Sequence, residues 1–372
     1  MTTPVDLAVV GGGPVGLGVA IHAAQRGLSA VVFDLRPSPR DKACGEGIMP
    51  LGVAELRRLG ILLPPDAGRP FRGIRYVDGE VRAQGRFPEG DGLGLRRTTL
   101  VALLEGRARA LGAEVRDGCR VTRWELTRSG IRVDSDQGAL EARLLVGADG
   151  LRSRVRWLAG LEAAPGRGRF GMRRHFRVSK PLDFVEVHWA DGIEAYLTPV
   201  ASDEIGVALL HRGKRGSFAQ LAERMPSLRT LLAGAEPTSA VRGAGPFHQR
   251  ARHRFADRIA LVGDAAGYLD PLTGEGVSLG LRSAGALVDV VASGEPLASY
   301  EREWRRLSAR YFQLTRWVLL LAASPVLRRR VVRVLARHPE LFDRFLAMAE
   351  GSAPLRSIGM SGLLRLLGGL VA

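Results

Sequence analysis

The amino-acid sequence predicts an α/β protein in which a parallel, doubly wound sheet alternates with an antiparallel sheet and is followed by a helical segment. Three observations lead to this prediction. A glycine motif stands between an apolar strand and a small-residue helix near the N-terminus, alternating strand patterns fill the middle of the chain, and helical periodicity dominates after Gly294. A strand, glycine turn and helix in that order are typical of nucleotide-binding sheets, whereas period-two alternation is typical of half-buried strands.

The N-terminal motif has the spacing and the context of a dinucleotide-binding turn. Residues 5–10 form an apolar run, and Gly11, Gly13 and Gly16 follow it in the pattern G-x-G-x-x-G. Gly11 allows the tight turn, Gly13 leaves room for a pyrophosphate, and Gly16 lets the helix pack close to the strand. We include Val15, inside the same turn, among the predicted cofactor contacts.

An acidic residue supports this interpretation of the turn. A second apolar strand at residues 30–33 ends in Asp34, which lies 18 residues after Gly16. An acid about 20 residues beyond the motif binds ribose hydroxyls in such folds, and Asp34 is predicted to do so. Because 47 of the 372 residues are glycine, the motif by itself could be a glycine-rich turn. The strand, helix and acid around it favour a nucleotide site.

A second glycine-rich segment, in the C-terminal third, predicts where a flavin binds. An apolar strand at 259–262 runs into a Gly-Asp pair, and a proline-containing loop then opens a helix. The aspartate can accept hydrogen bonds from ribityl hydroxyls, glycines let backbone N–H groups approach the ring, and the helix N-terminus favours negative charge. The predicted contacts in this segment are Asp264, Pro271, Gly274, Gly276 and Val277.

Four ordered motifs resemble those of the superfamily that contains the class A flavin monooxygenases and the geranylgeranyl reductases. Besides the two glycine segments, residues 42–47 (KACGEG) resemble the K-x-C-G-x-G loop of the reductases, and residues 147–156 resemble the D-G-x-x-S-x-x-R segment of the hydroxylases. The resemblance spans about residues 5–300 and implies a Rossmann-like FAD-binding domain, with FAD as cofactor and NAD(P)H as electron donor. It further implies cofactor contacts at Cys44, Gly45, Gly47, Arg97, Val121 and Asp149.

The chain also departs from parts of this superfamily. Gly267 stands where many aromatic hydroxylases have a histidine, and together with the cysteine loop it favours the reductase and halogenase-like branch. The sequence lacks the W-x-W-x-I-P signature of tryptophan halogenases and a C-x-x-x-x-C pair. We therefore do not expect a disulfide reductase with a separate nicotinamide domain.

The motifs divide the chain into a discontinuous FAD-binding domain, a substrate-binding sheet domain and a helical cap. The FAD-binding domain is predicted to comprise residues 1–71, 96–158 and 251–298, and the substrate domain residues 72–95 and 159–250. Residues 299–372 are the predicted C-terminal helical cap, which opens with an amphipathic helix. Strands of the substrate sheet are predicted at 73–77, 80–83, 170–178, 184–189, 193–199 and 205–211.

Composition argues against several classes of protein. The formal net charge is +16, but 51 of the 54 basic residues are dispersed arginines without an aromatic-rich basic tract, so we expect no nucleic-acid partner. Two cysteines do not make a secreted disulfide framework, and no uncharged apolar run approaches the roughly 18 residues of a membrane-spanning helix. The first residues lack the pattern of a secretory leader, and we expect a cytoplasmic protein.

The predicted helical cap carries a large share of the positive charge. Residues 301–372 contain 13 arginines and five acids. The favoured interpretation is a cap that packs on the sheet and keeps its arginine face in water. The alternative is peripheral membrane contact through the arginine-rich helices, which would suit a greasy substrate.

The motifs leave more than one reaction open. A monooxygenase would use NAD(P)H to reduce FAD and would then hydroxylate or epoxidise a hydrophobic aromatic or isoprenoid metabolite. A geranylgeranyl-reductase-like enzyme would instead reduce an isoprenoid carbon–carbon double bond with the same cofactor. We favour oxygen transfer over reduction, and a non-redox, cyclase-like flavoprotein is a further alternative.

Cys44 and Glu46 are the candidate catalytic residues, because a group beside the flavin can supply the proton that accompanies hydride transfer. The competing interpretation is that Cys44 is a small residue in a tight loop and that Glu46 is solvated or caps a helix. His175, His188 and His211 lie on predicted substrate strands, but no role is assigned to them. The sequence has no metal-ligand spacing, and no metal site is predicted.

Overall fold

The computed structural model describes residues 4–353 except 165, 167, 181, 191, 214 and 215, together with residues 357, 359, 362 and 365. The helices in these ranges are α1 (Pro14–Gln25), α2 (Pro50–Arg58), α3 (Arg97–Ala110), α4 (Arg154–Leu158), α5 (Phe218–Glu223), α6 (Pro226–Leu231), α7 (Gly276–Ala292), α8 (Leu297–Ala323), α9 (Pro325–Arg337) and α10 (Pro339–Glu350).

The strands of the described chain are short and distributed over four sheets. They are β1 (Val5–Val10), β2 (Ala30–Asp34), β3 (Gly47–Ile48), β4 (Arg69–Phe71), β5 (Gly73–Asp78), β6 (Val81–Arg86), β7 (Gly92–Gly94), β8 (Glu114–Asp117), β9 (Val121–Leu126), β10 (Ile131–Ser135), β11 (Gly138–Gly147), β12 (Phe170–Arg177), β13 (Val185–Ala190), β14 (Ile193–Pro199), β15 (Glu204–His211), β16 (Arg242–Ala244), β17 (Gln249–Arg250), β18 (Phe255–Ala256), β19 (Ile259–Leu261) and β20 (Gly267–Tyr268).

The first large sheet is the nucleotide-binding sheet. Its strands follow the order β8-β2-β1-β11-β19-β18, and all neighbours in this row are parallel except β18 and β19. β9 and β10 continue from β11 as an antiparallel extension. Leu7, Ala8 and Val9 of β1 are fully buried, because a central parallel strand is covered on both faces. The predicted α/β fold class is confirmed.

Helix α1 packs against α3 and α7 and ties the N-terminal turn to the C-terminal third of the chain. Its small residues allow this close approach. A Cβ on Gly18 would lie 2.7 Å from Cδ2 of Leu281 in α7. The two glycine segments that the sequence places about 250 residues apart therefore meet through neighbouring helices.

The second large sheet has the order β16-β12-β15-β14-β13-β5-β6 and is antiparallel except where β13 meets β5. It contains the strands predicted for the substrate domain, with bounds that shift by a few residues at most. Ile193, Ala195 and Leu197 of β14 join the apolar cluster beneath α5 and α6. The alternate residues of β14 face the other way, toward the nucleotide-binding sheet.

A three-stranded sheet, β3-β7-β4, joins the two large sheets and is not predicted from the sequence. β7 lies in the segment 72–95, which was assigned to the substrate domain, but it pairs with β3 and β4 from the segment 1–71. At Gly94 the backbone approaches Pro199 so closely that a Cβ would overlap the proline carbonyl. The predicted domain boundaries stay predictions.

The helical cap follows the predicted pattern where the structure describes it. The amphipathic periodicity corresponds to α8, and Ser324 caps α9 by accepting a hydrogen bond from the N–H of Leu327 at 3.3 Å. α9 and α10 cover β5 and β6, where Phe342 packs against Tyr76. In the part of the chain that the structure describes, no helix combines the length and apolar character needed to cross a bilayer. Most of 354–372, the end of the predicted cap, lies outside the described residues.

Replacing Gly94 with alanine is expected to lower the free energy of unfolding by about 2–3 kcal/mol, because the added methyl group collides with backbone atoms rather than with a movable side chain. Gly106 in α3 is the matched control, since a Cβ there meets open space and alanine should stabilise the helix by about 0.5–1 kcal/mol. Urea unfolding of both variants measures the difference. Equal stabilities would contradict the close approach of β7 to Pro199.

Candidate active site

The glycine turn between β1 and α1 forms a concave backbone surface at the carboxyl end of β1. Gly11 has a φ of 112°, and its N–H donates to the carbonyl of Phe33 at 2.7 Å. A Cβ on Gly11 or Gly16 would overlap backbone atoms, so both positions require glycine. Helix α1 begins at Pro14, and no side chain caps its N-terminus. Uncapped amides at a helix N-terminus bind anions.

Arg97 closes the opposite side of this turn. Its Nη2 lies 3.3 Å from the position that a Cβ on Gly13 would take. Its Nε is buried and has no hydrogen-bond partner among the described residues. A buried guanidinium donor without an acceptor costs free energy, so this donor calls for an anionic ligand. The open cradle and the orphaned donor both fit the pyrophosphate of the predicted FAD.

Asp34 is already engaged within the protein. Its Oδ2 accepts a hydrogen bond from the N–H of Gly12 at 2.7 Å, and the Nε of Arg40 lies 3.3 Å away. Arg40 is buried and also pairs with Glu105, at 2.9 Å, and with Asp117. No local pattern predicts this cluster, because Arg40, Glu105 and Asp117 are far apart along the chain. Asp34 thus holds the glycine turn, and its contact with ribose stays a prediction.

Two predicted contacts lie at the edges of this region. The side chain of Val15 packs against Gly263, where an added Cβ would lie 3.0 Å from Cγ2 of Val15. The backbone of Val15 is therefore the part that can face a cofactor. Val121 begins β9, four residues after Asp117, which pairs with Asp34 in the sheet register. Both contacts stay predictions.

The loop that precedes α7 supplies the remaining predicted contacts. Asp264 lies in one 3₁₀ turn, and Pro271–Thr273 form another. Gly274 follows in a left-handed conformation with a φ of 69°. α7 then begins at Gly276 without a side-chain cap, so the N–H groups of Gly276 and Val277 lie at an open helix N-terminus. The positive end of the helix dipole can stabilise negative charge on a group bound there.

The cysteine loop, residues 42–47, is held by the start of α3 and by the substrate sheet. Glu46 has a φ of 60°, and its Oε1 accepts a hydrogen bond from the N–H of Arg97 at 2.9 Å. Its Oε2 pairs with Nε2 of His175 on β12 at 2.5 Å. The hydroxyl of Thr198 on β14 donates to the carbonyl of the residue before Glu46 at 2.7 Å. These contacts fix the loop between the start of α3 and the substrate sheet.

The geometry separates the two candidate catalytic residues. The carboxylate of Glu46 is 1% exposed, both of its oxygens have partners, and Nη2 of Arg173 lies 3.7 Å from Oε1. This arrangement supports a positioning role for Glu46. Cys44 is partly exposed, and its Sγ accepts a hydrogen bond from the N–H of Glu46 at 3.4 Å. Because the sulfur is the acceptor in this bond, the S–H of Cys44 is available to donate a proton. The catalytic roles of Cys44 and Glu46 stay predictions.

A cavity of about 740 Å³ lies between Lys42 and the edge of the substrate sheet. Nζ of Lys42 lies 2.8 Å from the position of a Cβ on Gly150. Burial lowers the pKa of Lys42, with Asp264 opposing the shift and Arg97 adding to it. The cavity wall combines cations with the apolar Phe170 of β12. The cysteine loop therefore borders a space large enough for a substrate or a nicotinamide ring.

Asp149 is part of the local structure beside this cavity. Its carboxylate accepts hydrogen bonds from the hydroxyl of Ser153 at 2.5 Å and from the N–H of Arg154 at 2.7 Å, at the start of α4. Burial raises the pKa of Asp149, and these hydrogen bonds oppose the shift. The predicted cofactor contact of Asp149 stays a prediction.

A buried ionic cluster links the substrate sheet to the loop that contains Pro271. Arg169 donates to both carboxylate oxygens of Asp270, at 2.9 and 2.6 Å, and its Nη1 lies 2.7 Å from Glu194 on β14. The hydroxyl of Tyr311 in α8 donates to the carbonyl of Asp270 at 2.8 Å. Arg169 was not among the predicted site residues, since its partners are distant in sequence. The cluster fixes the loop from three directions.

A small cavity of about 50 Å³ lies beside the N-terminus of α7 and contains two acids. Burial raises the pKa of Glu275 to about 8, with Arg310 and Arg282 opposing the shift and Glu350 adding to it. Burial also raises the pKa of Glu350 to about 7. Oε1 of Glu350 is buried without a hydrogen-bond partner in the described ranges. Burial therefore favours the protonated form of both carboxyl groups.

Residues 4–313 match the family model described as "FAD binding domain". The chain belongs to this family. A menaquinone reductase of Mycolicibacterium smegmatis is 31% identical to the flavoprotein over 87% of this chain and 86% of the relative. A digeranylgeranylglycerophospholipid reductase of Methanothrix thermoacetophila is 29% identical over 81% of this chain and 83% of the relative. A dialkyldecalin synthase of Streptomyces rugosporus is 27% identical over 97% of this chain and 79% of the relative.

The fold agrees with this membership. A flavoprotein/dehydrogenase from Cytophaga hutchinsonii superposes with a TM-score of 0.83 at 16% identity, over 99% of this chain and 98% of that one. The predicted membership in the superfamily of FAD-dependent monooxygenases and geranylgeranyl reductases is confirmed. The flavoprotein is a member of the FAD-dependent oxidoreductases, and the individual cofactor contacts stay predictions.

Substituting Arg97 with glutamine is expected to weaken FAD binding by about 10- to 100-fold, because it removes a buried cationic donor at the turn that receives the pyrophosphate. The dissociation constant is measured by quenching of FAD fluorescence on titration with apoprotein. Arg107→Gln on the same helix is the control, since Arg107 contacts the carbonyl of Leu59 instead. Equal FAD affinity in the two variants would contradict the assignment of Arg97.

Glu275→Gln is expected to make the flavoprotein more stable than the wild type at pH 9 by about 1–3 kcal/mol and to change little at pH 5. The folded-state pKa of Glu275 is raised, so the wild type loses stability as the pH rises from the unfolded value through about 8. Thermal unfolding across this range measures the difference. Glu303→Gln is the control, because its ion pair with Arg306 lowers the pKa of Glu303 and gives no such gain. Parallel pH profiles for wild type and Glu275→Gln would show that Glu275 is ionised in the fold.

Proposed function

We propose that the flavoprotein is a reductase that saturates a carbon–carbon double bond in a hydrophobic isoprenoid substrate, with NAD(P)H as the electron donor. The observation that carries this proposal is the cysteine loop 42–47, which resembles the loop of the reductases and which Glu46 holds between α3 and β12. The names of two similar proteins, a menaquinone reductase and a digeranylgeranylglycerophospholipid reductase, support it.

The residues of the loop suit the proton part of this reaction. Saturation of a double bond adds a hydride to one carbon and a proton to the other, so two electrons leave the reduced cofactor. FAD, when bound and reduced, supplies the hydride. The thiol of Cys44 is the proton donor in this proposal, because it is partly exposed and its sulfur is hydrogen-bonded to the N–H of Glu46, which can stabilise the thiolate left behind.

The protein also has to exclude water from the reacting groups. The loop with Pro271 is fixed by Arg169 through Asp270, and the cysteine loop is fixed by Glu46 and His175. Rigid walls on both sides keep the geometry of hydride transfer constant while the substrate enters. In this proposal these residues position the reactants and take no part in bond making.

Oxygen transfer by an NAD(P)H-dependent monooxygenase is the second candidate. The segment 147–156 around Asp149 resembles that of the hydroxylases, and the sequence motifs by themselves favoured this reaction. Because two similar proteins are named as reductases, we now place reduction before oxygen transfer. A non-redox role is the third candidate, since a dialkyldecalin synthase is among the similar proteins. Failure of both NADH and NADPH to bleach the bound flavin would favour it.

Under anaerobic conditions, the reduced holoenzyme is expected to be reoxidised by geranylgeraniol, with recovery of the flavin absorbance and a product that has gained two hydrogens. Cys44→Ser should slow this reoxidation by at least about 100-fold, because a hydroxyl is a much weaker proton donor than a thiol. Stopped-flow absorbance and mass spectrometry of the product provide the two readouts. Cys119→Ala is the control for loss of a cysteine, since Cys119 is buried outside the loop.

The same mixture distinguishes the alternatives. A product formed only when oxygen is admitted, and carrying an oxygen atom, would identify a monooxygenase and overturn the reductase proposal. Unchanged anaerobic kinetics in Cys44→Ser would leave the reductase proposal standing but would show that Cys44 is not the proton donor.

A further inference from the structure

The junction of α8 and α9 presents an exposed apolar surface on a strongly basic segment. We call this surface the helical corner and define it by the exposed residues Arg316, Trp317, Leu320, Val326, Arg329 and Arg333. Trp317 is 60% exposed, Leu320 is 64% exposed and Val326 is 63% exposed. Trp317 and Leu320 are one turn apart on α8, and Val326 follows in the first turn of α9. The three large apolar side chains therefore project from one end of a helix pair.

The charge around the corner has a single sign. Between residues 304 and 339 the sequence contains nine arginines and no aspartate or glutamate. Arg328 is taken up by an internal ion pair with Asp78 at 2.9 Å, and Nε of the exposed Arg329 lies 3.8 Å from the same carboxylate. Arg305 and Arg306, earlier on α8, pair with acids of their own helix. Arg316, Arg329 and Arg333 are exposed beside the apolar residues. A partner for this surface must supply both negative charge and apolar contact.

The rest of α9 shows why only the corner is left for a partner. Val332, Val334 and Leu335 are buried against β5, β6 and β13, so the apolar side of α9 already belongs to the core. Within α8 and α9 the exposed large apolar side chains lie at the corner, and exposed arginines flank them. The helical corner is therefore a small apolar surface that is flanked by positively charged side chains. Tryptophan suits the headgroup region of a bilayer, and arginine reaches anionic headgroups while its stem stays in contact with apolar groups.

We propose that the helical corner docks the flavoprotein on an anionic lipid bilayer, with Trp317, Leu320 and Val326 inserted at the interface and the flanking arginines on the headgroups. A bilayer fits better than a protein partner because the apolar groups are few and shallow while the charge is large and of one sign. The described helices contain none that could span a membrane, so the contact is peripheral.

Along α8, the helical corner lies close to the loop that contains Pro271. Thr315, two residues before Trp317, is fully buried, and its hydroxyl oxygen lies 3.4 Å from that of Thr273 in the turn after Pro271. Tyr311, one turn earlier, binds the backbone of Asp270. If the proposed function holds, an isoprenoid substrate leaves the bilayer near this loop, which is predicted to contact the flavin. The docking itself requires no turnover and is tested without it.

Flotation of the full-length holoprotein with vesicles tests the docking. With phosphatidylcholine–phosphatidylglycerol vesicles at low salt, the yellow protein is expected to float with the lipid. With phosphatidylcholine alone, or in high salt, most of it should stay at the bottom of the gradient. Binding that is equal on both kinds of vesicle and insensitive to salt would overturn the electrostatic part of the proposal.

Two variants separate the apolar and cationic contributions. Trp317→Ser combined with Leu320→Ser is expected to weaken vesicle binding at least about tenfold. Trp157→Ser is its matched control, since Trp157 on α4 is 64% exposed and lies outside the corner. Arg329→Gln combined with Arg333→Gln should weaken binding about 20-fold at low salt. Arg120→Gln combined with Arg128→Gln, in exposed positions of the nucleotide-binding domain, is the control for net charge.

Folding and self-association are checked on the same samples. Bound flavin absorbance and circular dichroism show that each variant is folded. Equal loss of binding in the corner variants and in their controls would overturn the assignment of the corner. A wild type that does not float but elutes as a dimer, which Trp317→Ser converts to a monomer, would show that a second copy covers the corner and would also overturn the proposal. Because the assay measures binding alone, failure of the proposed reductase activity does not alter its result.

Discussion

The buried carboxylate of Glu46 is the contact on which the geometry of the active site depends. It joins the start of α3 to β12 through Arg97 and His175, and it does so from within the cysteine loop. Gly206 makes room for it, since a Cβ there would lie 3.1 Å from Oε2 of Glu46. Leaving a buried polar group without its hydrogen-bond partner costs about 1–3 kcal/mol, so the loop is held strongly in one position.

Arginine has two uses in this molecule. Part of the high positive charge is internal: Arg169 binds Asp270 and Glu194, and Arg40 binds a cluster behind the glycine turn. A planar guanidinium can satisfy two carboxylates at once, which a lysine ammonium does less well. The other part lies on the surface and is concentrated in α8 and α9. Net charge by itself therefore does not reveal how much of it is directed at a partner.

The fold is compatible with several reactions of the same cofactor. The choice between them depends on a few groups near the cysteine loop and the loop that contains Pro271. In the flavoprotein these groups are a partly exposed thiol, an engaged carboxylate and an acid beside α7 whose pKa is raised by burial. Proteins named as reductases and a synthase are similar to this chain over most of its length, so the scaffold by itself does not decide the reaction. The reaction then follows from what supplies the proton and from what enters the cavity beside Lys42.

The sequence by itself determined the elements that rest on local spacing. The glycine turn, the alternating strands of the second sheet and the amphipathic helix α8 were predicted because residues within one or two turns of each other define them. The tertiary structure decided the pairing of β7, the burial of Arg40 and Arg169, and the engagement of Glu46 by His175. These contacts join segments separated by up to about 130 residues, and no local pattern carries them.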